Sequence, residues 1–124
     1  MAEADASARE TLLMRGVLDM CVLALLDVEP LHAYGVVRKL QEHGLDNVSY
    51  GSIYPLVTRL RRQGLVDEQL LPSPSGPSRN VLRTNAAGRA ALKTWIEQWR
   101  TTTDKVSAIL SAPSEGVDGG RSRA

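Results

Sequence analysis

The sequence has a single cysteine, Cys21, among its 124 residues. One cysteine excludes an intrachain disulfide and a cysteine-rich zinc site, and this usage is typical of a reducing compartment. Because Cys21 lies in the apolar run VLDMCVLALL, we interpret it as a small buried hydrophobic group, with a reactive thiol as the alternative. The two histidines, His32 and His43, have no cysteine or carboxylate at metal-ligand spacing, so we expect no metal site.

Long apolar runs, catalytic motifs and an excess of one charge are also missing. The longest apolar run, residues 22–26, is too short to cross a bilayer, and the N-terminal residues lack the apolar core of a signal peptide. We therefore expect a cytoplasmic protein without membrane contact. No phosphate-binding glycine loop or nucleophile motif occurs, so we predict neither an enzyme nor a cofactor. The net charge is only +1, so a nucleic-acid function has to rest on local charge.

Apolar residues repeat at helical spacing in three successive segments. The first predicted helix runs from Glu10 to Val28 and ends before Pro30, which disfavours helical geometry at the residue before it. The second, within residues 31–43, ends at Gly44. The third follows Asn47 and ends at Gly64. Composition predicts disorder for residues 1–9.

The second half of the chain reads as a hairpin and a long helix. LVDEQLLP and RNVLRT are predicted strands, and SPSGPS between them suits a hairpin tip. Asn85 is a good N-cap for a helix from Ala86 to about Leu110, and residues 111–124 have the composition of a disordered tail. The fold class is thus mainly α with a small β-hairpin, and residues 10–84 form its main domain.

The third helix raises a specific question, because VSYGSIYPLVTRLRRQGLV contains glycine and proline near its start and three arginines without an acid. Ile53, Leu56, Val57 and Leu60 define its buried side. Gly51, Pro55, Thr58 and Arg62 lie on the opposite side, flanked by Ser52, Tyr54 and Arg59. A helix that begins at Ser52 as cap places Pro55 in the first turn, where it is tolerated, whereas one that begins at Ser49 is distorted locally by Pro55. The sequence leaves both starts open.

Three helices followed by a hairpin form the winged helix-turn-helix, whose third helix enters the major groove and whose hairpin, the wing, lies along the DNA backbone. A small N-terminal end lets the helix approach the duplex, where its backbone N–H groups and dipole favour phosphate. Arg59 and Arg62 can neutralise phosphates or pair with guanine. Taken singly, these features also fit a solvated helix face. Their combination with the wing favours DNA binding.

Several segments resemble the PadR family of bacterial transcriptional repressors. These are HAYGVVRKL, the whole third-helix segment, and GPSRNVLRTNAAGRAALKTWIEQW. The most specific part is Gly51-Ser52-Ile53-Tyr54-Pro55-Leu56, which the family writes Gly-Thr-Leu-Tyr-Pro-Leu. The resemblance spans roughly residues 15–110 and is closest to the small subclass with a short C-terminal helix.

The resemblance implies a homodimer that binds a palindromic operator, with residues 85–110 as its dimerisation helix. It also implies that Tyr34 and Tyr54 contact phosphates or brace the reading head and that Arg79 belongs to the wing. The family's wing commonly continues with Lys-Tyr-Tyr, absent here, which leaves Arg79, Ser75 and Ser78 to contact phosphates. The predicted DNA-binding set is Tyr34, Ser49, Gly51, Ser52, Tyr54, Pro55, Thr58, Arg59, Arg62, Ser75 and Arg79.

Trp95 and Trp99 lie one helical turn apart on the last helix and can share a face. One interpretation is packing in a dimer, since large aromatic residues are favoured at interface centres. The other comes from the resemblance: some small PadR relatives bind flat aromatic compounds between tryptophans at the dimer interface. The predicted function is a dimeric DNA-binding repressor released by a small aromatic effector. The alternative is a winged-helix protein-interaction module that does not read DNA.

Overall fold

In the computed structural model, the described part of the chain comprises the backbone of residues 2–117 and the side chains of residues 5–72, 74–76 and 80–112. Its elements are α1 (Ala2–Arg15), α2 (Leu18–Val28), α3 (Ala33–Glu42), α4 (Tyr50–Arg62), β1 (Val66–Ser73), β2 (Gly76–Thr84) and α5 (Ala86–Val117). The predicted fold class, mainly helical with one hairpin and a long last helix, is confirmed.

The N-terminal region differs from the prediction in two ways. Residues 2–9, for which composition predicts disorder, belong to α1, and the single helix predicted from Glu10 to Val28 is divided at Gly16. Glycine weakens a helix interior because it has the greatest backbone freedom to lose. The amide of Val17 accordingly bonds to the Met14 carbonyl in a turn, at 3.0 Å.

The hydrophobic core lies among α2, α3, α4 and the hairpin. Its buried apolar residues are Val22, Leu23, Leu26, Val36, Val37, Leu40, Ile53, Leu56, Val57, Leu60, Val66, Leu82 and Leu92. For α4 these are the positions predicted from helical spacing. Helix α2 buries Val22, Leu23 and Leu26, whereas Val28 is 82% exposed. The helix is apolar on nearly every side, so its periodicity did not single out one face.

The hairpin joins this core through its base. β1 and β2 are antiparallel, with Val66 opposite Thr84 and Glu68 opposite Leu82. Leu31, just before α3, adds a short bridge to Leu82 through two backbone hydrogen bonds of 3.0 and 2.8 Å. The wing is therefore anchored on both sides of Leu82.

Asn85 caps α5 as predicted and also fixes its start to the end of α4. Its side-chain oxygen accepts from the Gly88 amide at 2.8 Å, and its side-chain nitrogen donates to the Gly64 carbonyl at 3.0 Å. Next to it, the fully buried Thr84 hydroxyl donates to the Leu23 carbonyl at 2.8 Å. These bonds tie the end of β2 to α2 and to the turn after α4.

The chain divides into two compact units, residues 1–92 and 93–124. The boundary lies within α5 and after the predicted domain limit of residue 84. Helix α5 also runs to Val117, beyond the predicted end at Leu110. Of the predicted disordered tail, residues 111–117 are helical, and residues 118–124 lie outside the described residues.

Candidate nucleic-acid interface

The start of α4 is set by a reciprocal cap between two serines. The Ser49 hydroxyl accepts from the Ser52 amide at 3.3 Å, and the Ser52 hydroxyl accepts from the Ser49 amide at 3.1 Å. This capping box satisfies two donors of the first turn. Of the two starts that the sequence left open, the structure has the one with Ser49 as cap.

Pro55 therefore lies inside α4 rather than in its first turn. A proline has no N–H, so the Gly51 carbonyl, four residues earlier, lacks its usual helical donor. The break occurs on the exposed side of the helix, where water or a ligand can bond to that carbonyl. Helix α4 is stabilised by its cap and by its buried apolar residues, which lie both before and after Pro55.

Seven of the residues predicted to meet DNA lie on α4. Those with exposed side chains or backbone are Gly51, Ser52, Tyr54, Pro55, Arg59 and Arg62, and Thr58 is half-buried. Within the described part of the chain, the guanidinium groups of Arg59 and Arg62 form no ion pair or hydrogen bond. Two cations are thus available to an external anion, whereas the hydroxyls of Ser49 and Ser52 already serve the cap.

Three tyrosines gather at the other flank of α4. Tyr50 and Tyr54 are stacked, with ring centroids 5.5 Å apart and planes at 28°. Tyr34, at the start of α3, lines the same cleft of about 440 Å³, and all three side chains are about half exposed. The prediction included Tyr34 and Tyr54 but missed Tyr50. Its position four residues before Tyr54, on the same helical face, is the signal that identifies it.

Arg61, the third arginine of α4, is not free. Its Nε atom lies 3.1 Å from Oε1 of Glu68 on β1. No local sequence pattern predicts this pair, because it forms only when the hairpin folds back beside the helix. Arg61 and Glu68 line the tyrosine cleft together with Asn80 of β2.

The wing contributes less to the described surface. Ser75 lies in the hairpin turn and is exposed. The backbone of Arg79 pairs with Leu71 in the hairpin, but its side chain lies outside the described residues. Both assignments stay predictions.

Helix α1 borders the remaining side of α4 without covering its arginines. A second cleft, of about 330 Å³, lies among α1, α2 and α4 and is lined by Met14, Leu18, Pro55 and Arg59 among others. Its floor is apolar and its rim carries charges of both signs.

Trp95 and Trp99 belong to the second unit. Trp95 is half-buried and Trp99 is 43% exposed. Farther along α5, Val106, Ile109 and Leu110 are also exposed, the last two by about 70%. Helix α5 thus carries an apolar stripe that its own unit leaves open to solvent.

The remaining candidate groups have structural roles or none. His32 caps α3 by accepting from the Gly35 amide at 2.9 Å, and His43 follows the end of that helix. Burial raises the pKa of the Cys21 thiol, and the Asp19 carboxylate adds to this shift. The raised pKa disfavours a reactive thiolate. Among the side chains that the structure describes, no cluster suits a metal ion. Nor does any described helix combine the length and apolarity that a bilayer crossing needs.

Three helices, a Leu31 bridge and a hairpin beside an exposed third-helix face define a winged helix-turn-helix protein. This architecture is typical of regulators that place the helix before the wing in the major groove. The chain belongs to the PadR-like family of transcriptional regulators, whose family model matches residues 22–94. That family consists of regulators rather than enzymes.

Solved structures of the same family are similar over nearly their whole length. A PadR family regulator from Eggerthella lenta DSM 2243 is 34% identical with a TM-score of 0.79, covering 90% of this chain and 97% of that one. A PadR-like regulator from Bacillus cereus strain ATCC 14579 is 31% identical with a TM-score of 0.73, covering 80% and 96%.

Bacillus subtilis PadR, solved in complex with operator DNA, is 20% identical with a TM-score of 0.59, covering 64% of this chain and 46% of that one. At that identity the likeness shows the fold alone. No curated protein matches the chain significantly.

Proposed function

We propose that the chain is a homodimeric repressor that binds a palindromic operator in the cytoplasm through α4 and the wing. The observation that carries this proposal is the exposed side of α4, where Arg59 and Arg62 have no partner among the described residues. Arginines in this arrangement bind phosphates or read guanine. The operator complex of Bacillus subtilis PadR, which has the same fold, supports the choice of partner.

Dimerisation is supported by apolar surface that the single chain leaves uncovered. Leu12 and Leu13 of α1 are 59% and 67% exposed, and the α5 stripe adds Ile109 and Leu110. Contiguous exposed apolar residues on helices mark interfaces with other proteins. Two copies would also place two α4 helices on one duplex, as half-sites about one helical turn apart require.

The function is tested by a salt titration. Operator candidates are selected from a random DNA pool, and binding of the full chain is followed by fluorescence anisotropy between about 50 and 200 mM salt. Each phosphate contact contributes about 0.9 to the slope of log K against log salt, so Arg62→Ala in both subunits lowers the slope by about 1.8. Arg59→Ala behaves alike if it binds phosphate, and it relaxes the preference for one base pair if it reads guanine.

Lys105→Ala in the second unit is the matched control, because it removes the same charge from outside the proposed interface. Should Arg59→Ala and Arg62→Ala bind as the control does, the assignment of the α4 face is refuted. Should the wild-type chain select no DNA, the protein-interaction alternative replaces the proposal.

For release of the operator we propose an aromatic effector that binds at Trp95 and Trp99. Both tryptophans of the chain lie on α5, so fluorescence excited selectively at tryptophan rather than at the three tyrosines reports on this site alone. Planar aromatic compounds that quench this fluorescence should also weaken operator binding. A Trp95→Leu, Trp99→Leu variant that stays dimeric but no longer responds supports the ligand site. Loss of the dimer supports packing instead.

A further inference from the structure

Glu68 is a charged residue on the side of the wing that also carries buried apolar residues. Directly opposite residues of an antiparallel pair point to the same face, and alternate residues along a strand share that face. Glu68 is opposite Leu82 and two residues from Val66, and both of these are buried. The Glu68 side chain is therefore directed toward the side of the hairpin that meets α4, and 28% of this side chain is exposed.

Arg61 is the group that answers this carboxylate. The 3.1 Å contact spans from the last turn of α4 to β1, and it is the only ion pair between α4 and the hairpin among the described residues. Beyond the pair, the cleft of about 440 Å³ separates Tyr54 and Thr58 from the hairpin residue Asn80. Packing holds the base of the wing, at Val66 and Leu82, but an open cleft faces its next segment.

The wing and α4 both have to reach the same duplex, and a wing that moves freely must lose that freedom on binding. An ion pair across the cleft holds the hairpin near its bound position in advance. The same pair occupies Nε of Arg61, in contrast to the unpartnered Arg59 and Arg62.

We propose that Arg61 and Glu68 are a positioning pair, which sets the wing against α4 and keeps Arg61 from serving as a phosphate ligand. This inference rests on the proposed DNA-binding function and adds to it two residues outside the predicted interface. The interaction between the partners of an exposed ion pair changes an equilibrium constant by a factor of about 1.4 to 5. A dimer carries the pair twice, so loss of either partner weakens operator binding by about 2- to 25-fold.

The variants Arg61→Gln and Glu68→Gln separate positioning from charge. Glu68→Gln removes a negative charge near the DNA, so electrostatics alone predicts tighter binding, whereas positioning predicts weaker binding. Arg61→Gln should weaken binding by a similar factor and leave the salt slope unchanged, because no phosphate contact is lost. The double variant should bind no worse than either single one, and the charge reversal Arg61→Glu with Glu68→Arg should restore most of the affinity.

Asp67→Asn is the matched control. It removes the same charge from the neighbouring residue on the opposite face of the hairpin, and its side chain keeps an oxygen for the bond from Asn85. Binding of this variant should be unchanged or slightly tighter. If Arg61→Gln lowers the salt slope and Glu68→Gln tightens binding, Arg61 is a phosphate ligand and the inference is overturned. It is equally overturned if neither change alters affinity.

A measurement without DNA keeps this inference distinct from the proposed function. Backbone ¹⁵N relaxation of the hairpin amides should show larger fast motions in both single variants than in the wild type, and recovery in the charge reversal. If the wild type binds no DNA while the hairpin loosens as expected, the DNA-binding function fails and the pair still positions the hairpin. Unchanged hairpin motion overturns the pair.

Discussion

Replacing Gly88 by alanine should destabilise the winged-helix unit strongly. A Cβ atom added at this position would clash with the Leu65 carbonyl oxygen and would lie 2.7 Å from Cγ2 of Thr84. Neither neighbour can withdraw easily. The Leu65 oxygen accepts the Asn85 amide at 3.2 Å, and Thr84 is fully buried with its hydroxyl bonded to Leu23.

The size of the effect follows from two opposing contributions. Forcing an extra methyl group into a packed site costs about 1–3 kcal/mol, and contact with a fixed backbone atom favours the upper end. Alanine in place of glycine in a helix returns at most about 1 kcal/mol. The expected net loss is about 2 kcal/mol, which lowers the midpoint of thermal unfolding by about 8–16 °C for a unit of this size.

Thermal unfolding followed by circular dichroism measures this directly. Gly16→Ala is the control, because no atom lies within 4 Å of a Cβ added there. A Gly88→Ala variant that melts within about 2 °C of both the wild type and this control would refute the close approach of α5 to the turn after α4.

Three further changes test other parts of the structure. Pro55→Ala should raise the free energy of unfolding by about 2 kcal/mol in a urea titration, since about 3 from the restored helix is offset by about 1 from the more flexible unfolded chain; unchanged stability would place Pro55 outside a regular helix. Thr84→Val should lower that free energy by about 1 kcal/mol through loss of the bond to Leu23, whereas Thr84→Ser, which keeps the hydroxyl, should retain the bond. Burial raises the pKa of Cys21. The contribution of this thiol to the free energy of unfolding is therefore complete below the ordinary thiol pKa of 9.0 and is lost as the pH rises above that value. The pH profile of stability should therefore fall less steeply above that value in Cys21→Ala, and identical profiles would count against the burial.

Local signals predicted most of the elements. Gly44, Gly64 and Asn85 mark helix ends and a helix start in the sequence, and each does so in the structure. Both Gly44 and Gly64 have positive φ angles, of 89° and 80°, the conformation that glycine adopts at the lowest cost after a helix.

Choices between two adequate local solutions were not predictable. Ser49 and Ser52 are both good caps, and Pro55 alone favoured the later start. The structure uses the two serines together, so the stabilisation of the reciprocal cap and of the buried α4 face outweighs the cost of an internal proline. The sequence shows that the two serines and the proline are present, but it does not show which of their opposing contributions to helix stability is larger.

The candidate site divides in the same way. Spacing along α4 predicted that Arg62 lies opposite the buried side and that Arg59 flanks the exposed side, and both side chains are exposed in the structure. The contact of Arg61 with Glu68 depends on how the hairpin lies beside α4, and nothing local to either segment encodes it. The pairing register directs Glu68 toward the buried side of the hairpin, and this explains its contact with Arg61.

The end of α4 and the start of α5 are joined through Asn85, which bonds to the Gly64 carbonyl at 3.0 Å and to Leu65 through its backbone. Gly88 allows a backbone approach there that a larger residue would prevent.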